Sequence, residues 1–328
     1  MKSVLTAVCV SALFVMVGCG GGSGSGKKVT VLKLSHGLDV THPVHKAMEH
    51  MAGKVLEKSR GSLKIDIYPN EQLGTERENI EQLQLGSLAM TKTSSGPMES
   101  FVPAVKIFGL PYLFRDSDHM QKVLDGEIGR EILAAGGEKG FKGLCYYDAG
   151  ARSFYTNQIA IRKPEDLKGL KIRVMKSEMS MKMIEAMGGS ATPIDWGELY
   201  TSLQQGVVDG AENNPPSFVT AHHYEISKYY SLDEHVRLPD ILLISVKKWE
   251  NLSPEHQRIL KESAGESVIF QRELWKKVVK DSLKKAEESG VTIIRPDKEP
   301  FRRAVKSVWD EFEGTEIGEL ARRIREVK

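Results

Sequence analysis

The chain has 328 residues, with 46 Lys and Arg set against 44 Asp and Glu, and 40% of its residues are hydrophobic. Charges of both signs are mixed along the whole length, which excludes the clustered basic face that nucleic-acid binding calls for. The length suffices for two domains with substantial cores, and three cysteines at positions 9, 19 and 145 are too few and too scattered for a disulfide framework or structural zinc.

In chain order, Lys2 precedes a mostly apolar run from Val4 to Val17, about 14 residues long, short of the roughly 20 that a membrane span needs. Residues 1–18 therefore read as a signal peptide, removed on export. Met16-Val17-Gly18-Cys19 is similar to a bacterial lipobox, with Met where Leu is usual, so Cys19 is expected to be lipidated and to become the new N-terminus. Cleavage nearby by an ordinary signal peptidase is the alternative. Residues 19–27, which carry the run Gly20 to Gly26, form a tether between that anchor and the folded chain. The protein is thus expected in the periplasm, held to the membrane through Cys19. Cys9 leaves with the signal, and Cys145, in the apolar run Leu144-Cys145-Tyr146-Tyr147, reads as a small buried hydrophobe.

Beyond the tether, strand and helix patterns alternate, which predicts an α/β fold. Val29 to Leu34 alternates as a strand. A helix capped by Thr41 or His42, with Pro43 in its first turn, runs to about Lys58. Leu63, Ile65 and Ile67 mark the next strand, and a helix from about Glu76 to Leu85 stops at Gly86. Phe101 to Leu113 is apolar and reads as a buried connector. Leu170 to Val174 is a strand, followed by a helix over Met179 to Met187 that ends at Gly188-Gly189. Asp195-Trp196-Gly197-Glu198 has the form of a capping box and opens a helix to Gln205. Val207 to Asp209 is predicted as a short strand, Pro215-Pro216 starts a helix, and Ile241 to Val246 is an apolar strand. From Ser253-Pro254 a helical tract reaches Ser289 without internal proline; such a length predicts a bend or a passage between domains.

The stretch from Gly150 to Pro216 carries the chemistry. Arg152 and Arg173 each sit beside a strand-like segment, Trp196 supplies an indole, and Glu212-Asn213-Asn214-Pro215-Pro216 forms an acid–amide–proline turn. A planar guanidinium gives a carboxylate two parallel, charge-assisted hydrogen bonds, and an amide both donates and accepts. These groups suit a carboxylate held in a cleft, and no recognisable triad or phosphate loop accompanies them. The residues leave other readings open: an ion pair of Arg173 with Glu178, a structural pairing of Arg152, a turn anchor for Glu212, and a hydrophobic plug for Trp196. Asp195 reads as a helix cap. His36, His42, His45 and His50 raise the question of a metal, but His45 and His50, five apart, share no helical face, and none is expected. No cofactor is expected either.

Taken together, several motifs are highly specific in their order. They are Gly61-Ser-Leu-Lys-Ile, Tyr68-Pro69 with Gln72-Leu73-Gly74, Gly86-Ser87-Leu88, Pro164 to Val174 (PEDLKGLKIRV), and above all Leu203 to Asn213 (LQQGVVDGAEN). The chain resembles the solute-binding proteins of tripartite ATP-independent periplasmic (TRAP) transporters, the DctP family, over essentially all of its mature length. The resemblance implies two α/β domains joined by a hinge, a ligand cleft between them and a long helix spanning both. It places domain I at 28–149 plus 239–277 and domain II at 150–238 plus 278–328. It makes Arg173 the carboxylate partner, with Arg152 and Asn213 in the same cleft, Trp196 against the ligand and Glu212 beside it. It brings His36, Glu76, Ser94 and Asp240 to the cleft from domain I.

The phrase Asp148-Ala-Gly-Ala-Arg-Ser-Phe-Tyr looks most like members that bind uronates such as D-glucuronate or D-galacturonate; a C4-dicarboxylate, with Arg152 on the second carboxylate, is the alternative. The implied function is capture without chemistry by a monomer, and delivery to a permease with one small and one large membrane subunit. A ligand-sensing partner of a membrane receptor would use the same cleft. An exported hydrolase or lyase would need an acid–base pair that nothing in the sequence singles out.

Overall fold

A computed structural model describes residues 29–328; the expected signal peptide, the expected lipidation site Cys19 and the expected tether lie outside the described residues. Eleven strands form two sheets. They are β1 (Thr30–Ser35), β2 (Leu63–Tyr68), β3 (Met90–Ser94), β4 (Phe141–Tyr147), β5 (Arg152–Thr156), β6 (Lys171–Val174), β7 (Ser190–Pro193), β8 (Gly210–Asn213), β9 (Tyr229–Val236), β10 (Asp240–Ser245) and β11 (Thr292–Ile294). The first sheet has the order β2-β1-β3-β10-β4 and the second β11-β9-β5-β8-β6-β7. In each, parallel strands joined by helical crossovers make one half and antiparallel pairings complete it, except that β11 adds to β9 in parallel at the edge of the second sheet. The result is a two-domain α/β fold of the periplasmic solute-binding type.

The chain leaves the first sheet after β4 and enters the second at β5. It returns between β9 and β10, and crosses again in the helix Pro254–Glu288, which is 35 residues long. That helix starts as its sequence predicts: Ser253 accepts a hydrogen bond from the His256 amide, and Pro254 takes the first position. It lies along the helix Pro43–Lys58 and against β4 at one end, and approaches β11 at the other. The first crossing is fastened to it. The Asp148 amide donates to Gln271 Oε1 at 3.0 Å, and Gln271 Nε2 donates to the Asp148 carbonyl at 2.7 Å. Gly150 sits there at φ +61°, and a Cβ would come within 3.1 Å of the Trp275 ring, so the hinge approach is closed to larger residues.

One apolar cluster packs Leu34, Val44, Met48 and Met51 under the first sheet, with Trp275 from the long helix. A second joins Tyr155, Leu203, Phe218 and Tyr230 in the other domain. A third is shared: Phe108 and Leu110 of the buried connector meet Met179, Phe301 and Ile324. The helices Glu299–Ala304 and Lys306–Asp310 pack on the second domain, whereas Glu316–Glu326 reaches back to Pro103–Gly109.

Two local expectations are corrected. Val207 to Asp209 is a bend, and the strand begins at Gly210, where the chain first pairs with β5. Asp195 does not cap by its side chain; the carboxylate takes a 2.6 Å hydrogen bond from Lys176 Nζ, and the helix opens as a single 3₁₀ turn at Trp196–Glu198.

Candidate functional site

Both sheets present strand ends to one cleft. From the second domain come the C-terminal ends of the parallel strands β6 and β8 and the N-terminal end of the antiparallel β5. From the first come the ends of β1 and β3 and the start of β10, where Asp240 stands opposite Ser94. Open α/β sheets bind ligands at this edge. The cavity there is lined by Glu76, Lys92, Ser94 and Asp240 on one side and by Arg152, Arg173, Trp196 and Asn213 on the other. Gly37, Leu38, Ala149, Met175, Asn214 and Ser217 complete the wall.

The two arginines differ in a way that decides their roles. Arg152 already has a protein counter-ion and makes four hydrogen bonds to protein groups. Its Nε and Nη2 both donate to the Glu212 carboxylate, Nη2 also to the Glu212 carbonyl at 2.7 Å, and Nη1 to Asn213 Oδ1 at 2.9 Å. Glu212 is itself backed by His235, whose Nδ1 lies 2.8 Å from Asp233 Oδ2. All four ionisable groups are buried, and their charges balance. Burial works to raise the Glu212 carboxyl, but Arg152 and His235 hold it below its ordinary value. Burial likewise opposes the charge on His235, yet Asp233 and Glu212 prevail and raise its pKa to about 9.

Arg173 has none of this. It is 2% exposed, its Nε donates to the Ile194 carbonyl at 2.8 Å, and no carboxylate among the described residues pairs with it. Its Nη1 is buried without a hydrogen-bond partner among the described residues. Burial lowers its pKa, though a guanidinium remains charged. The expected alternative, a pair with Glu178, does not form, because Glu178 binds Lys106 and Lys182. The Trp196 ring lies 5.8 Å from the Arg173 guanidinium and meets His223 edge-on at 5.2 Å, so the indole walls the charge on one side.

On the opposite wall Lys92, fully buried in β3, sits 3.3 Å from both Glu76 Oε1 and Asp240 Oδ1, and Glu76 also accepts from the Ser94 amide at 2.9 Å. Burial pushes Asp240 up to about 6, with Lys92 pulling the other way. This trio offers a sugar-like ligand one ammonium donor between two carboxylate acceptors.

Seven of the nine expected residues therefore line the cavity: Arg173, Arg152, Asn213, Trp196, Glu76, Ser94 and Asp240. Glu212 stands behind Arg152 as its counter-ion and does not line the cavity. His36 lies behind the wall as well: its Nδ1 accepts from the Leu38 amide, and its Nε2 shares a 3.0 Å hydrogen bond with His45. Lys92 and Ser217 escape a reading of the sequence. Met90-Thr-Lys-Thr-Ser94 looks like an exposed polar turn, and only the flanking strands reveal it as the buried centre of a sheet.

The cleft is closed in this arrangement. His42 Nε2 reaches Ser217 Oγ at 3.1 Å, Glu99 Oε1 accepts from the Met179 amide at 3.3 Å, and Glu71 Oε2 accepts from the Gly197 amide at 3.1 Å, each from one domain to the other.

A two-domain α/β molecule with a buried guanidinium facing an inter-domain cavity is a solute receptor by construction. The chain belongs to the bacterial extracellular solute-binding proteins, family 7 (DctP), whose profile matches residues 34–315. A TRAP periplasmic solute-binding protein from Xanthobacter autotrophicus, solved with bound β-D-galacturonate, is 41% identical, with a TM-score of 0.88 over 90% of this chain and 100% of that one. The protein from Chromohalobacter salexigens, with bound D-glucuronate, is 37% identical, again with a TM-score of 0.88 over 90% and 100%. A third, from a Polaromonas species and bound to D-erythronate, is 32% identical, with a TM-score of 0.89 over 91% and 99%. This chain is accordingly a solute-binding protein of the TRAP class and not an enzyme.

Proposed function

We propose that this protein captures one molecule of a hexuronic acid, D-galacturonate or D-glucuronate, and hands it to a TRAP permease with a small and a large membrane subunit. The observation that carries the reading is the buried Arg173, which lines the polar cavity and whose Nη1 has no hydrogen-bond partner among the described residues. A buried cation left unpaired is costly unless something else completes it, and a solute carboxylate would do so with charge-assisted hydrogen bonds. The sugar ring would lie against Trp196, and its hydroxyls would meet Lys92, Glu76, Asp240, Ser94 and the Asn213 amide.

A single carboxylate is favoured over two. Arg152 has its charge balanced by Glu212, so it offers a second carboxylate little, and Glu76 and Asp240 would repel one. The bound galacturonate, glucuronate and erythronate of the similar structures are all polyhydroxylated monocarboxylates, which supports the same reading. Binding would proceed by hinge closure, the solute favouring the closed state through contacts that only both domains together supply. The proposed domain limits, 28–149 plus 239–277 and 150–238 plus 278–328, draw support from the chain's passages between the sheets, although the helix Glu316–Glu326 packs on Pro103–Gly109 of the first domain. Periplasmic residence follows the family, and anchoring through a lipidated Cys19 is part of the proposal.

Titration calorimetry of the mature protein with D-galacturonate, D-glucuronate, succinate and D-glucose tests the reading. Micromolar or tighter binding of a uronate with glucose silent is the expected outcome. Binding of succinate with both uronates silent would overturn it.

A further inference from the structure

At the outer end of the cleft, beyond Trp196, one side chain crosses from domain to domain with nothing in the solute reading to explain it. Glu71 follows β2 in the first domain, and its Oε2 accepts the 3.1 Å hydrogen bond from the Gly197 amide in the second. The contact is built with care on both sides. Asn70 and Glu71 both adopt the left-handed region, at φ +53° and +57°, a conformation that costs a non-glycine residue about 1 kcal/mol or more. Their amides are fastened to the carbonyls of Leu38 and His36, so the strained turn is held in place. Two glycines make room for the carboxylate. A Cβ at Gly197 would collide with Glu71 Oε2, and one at Gly37 would come within 3.2 Å of Glu71 Cγ and 3.5 Å of the Trp196 ring.

We infer that Glu71 is a positioning residue of the closed cleft: it ties the Trp196–Gly197 turn of the second domain to the first and couples closure to the uptake of a proton. The coupling follows from what the carboxylate meets when the domains come together. Its Oε1 is buried with no hydrogen-bond partner among the described residues. Glu76 and Asp195 face it with like charge, and Asp195 is engaged by Lys176; Arg173 is the cation that opposes them, and Arg77 lines the same small chamber. Burial first, then Glu76, raise the Glu71 carboxyl to about 7 in the closed form, against the hydrogen bond from Gly197. In an open cleft the same group would be solvated, with an ordinary value near ~4.3.

The sign is then fixed. A group whose pKa is higher in the closed state favours closure as pH falls, so solute binding should tighten from pH 8 to pH 6, by roughly tenfold from this group alone. His42, held at about 3 by burial in the closed form, acts in the opposite sense if opening exposes it. The comparison must therefore be with Glu71→Gln, which keeps an acceptor for Gly197 and cannot titrate.

The proposal rests on the closed, solute-bound reading above, and its test separates the two. Dissociation constants would be measured by calorimetry at pH 6, 7 and 8 for the mature wild type, Glu71→Gln and Glu71→Ala, with D-galacturonate, D-glucuronate, D-erythronate and succinate. Wild type should tighten about tenfold more than Glu71→Gln between pH 8 and pH 6, for whichever acid binds, because the tie lies between protein groups. Glu71→Ala should bind solute at least fivefold more weakly than Glu71→Gln at every pH. A uronate that binds with the same pH profile in wild type and Glu71→Gln overturns the proposal and leaves the solute reading intact. Silent uronates, with the excess slope seen for another acid, overturn the solute and support the tie.

Discussion

Arg152 and Arg173 are the same residue type at the edge of the same sheet, yet their surroundings predict opposite responses to removal. On the proposed reading, Arg173 is a charge kept buried for a ligand. Replacing it with Met should abolish measurable uronate binding, a loss of at least tenfold for a charge-assisted pair, while leaving the ligand-free protein as stable as wild type or more so, because an uncompensated charge leaves the interior. Arg152→Met strips Glu212 of its counter-ion and should cost on the order of 3–5 kcal/mol of stability. Paired urea melts and calorimetry distinguish the two; equal destabilisation would contradict the division of roles. His235 gives a pH-dependent check of the same network. Its folded pKa, about 9, lies above the ordinary value of 6.5, so its contribution is fully present below pH 6.5 and is lost as pH rises through 9. The urea midpoint should fall between pH 6.5 and 9.5 in wild type, and much less in His235→Gln. At this scale the family resemblance in the sequence is what groups two arginines, an indole and an amide in one cleft. It is blind to which arginine is already neutralised, because Asp233 and His235 lie some 80 residues away along the chain, within a strand whose polar letters give no hint of burial.

The elements differ in how openly they are written. The helix Pro43–Lys58, the 35-residue helix and the Gly86 terminus follow from caps, proline and glycine at their ends. The central strand β3 and the strand β9 do not, since Lys92, Asp233 and His235 break the apolar pattern that marks a buried strand and are tolerated only through partners supplied by tertiary structure. The long helix illustrates the link from element to function. Gln271 spends both polar ends on the Asp148 backbone at the crossing between sheets. Gln271→Leu should leave that amide and carbonyl unpaired, at about 1–3 kcal/mol for each group, and lower the urea midpoint accordingly. An unchanged midpoint would mean that the crossing does not depend on the helix for its hydrogen bonds.

For the whole molecule, the division of labour follows from the two sheets. The second domain holds the charged anchor and the indole; the first brings the Lys92–Glu76–Asp240 trio, the His42 and Glu99 contacts and the Glu71 tie. On the proposed reading neither half alone would surround a solute, which makes closure and recognition one event. The central claim is that the solute's carboxylate completes the bonding of Arg173 inside the closed cleft. A crystal structure of the mature protein grown with D-galacturonate tests it most directly. The carboxylate should lie within hydrogen-bonding distance of Arg173 Nη1, with the sugar ring against Trp196 and hydroxyls toward Lys92, Glu76 and Asp240. A carboxylate bound instead at Lys92, or any solute leaving Arg173 Nη1 without a partner, would contradict the account.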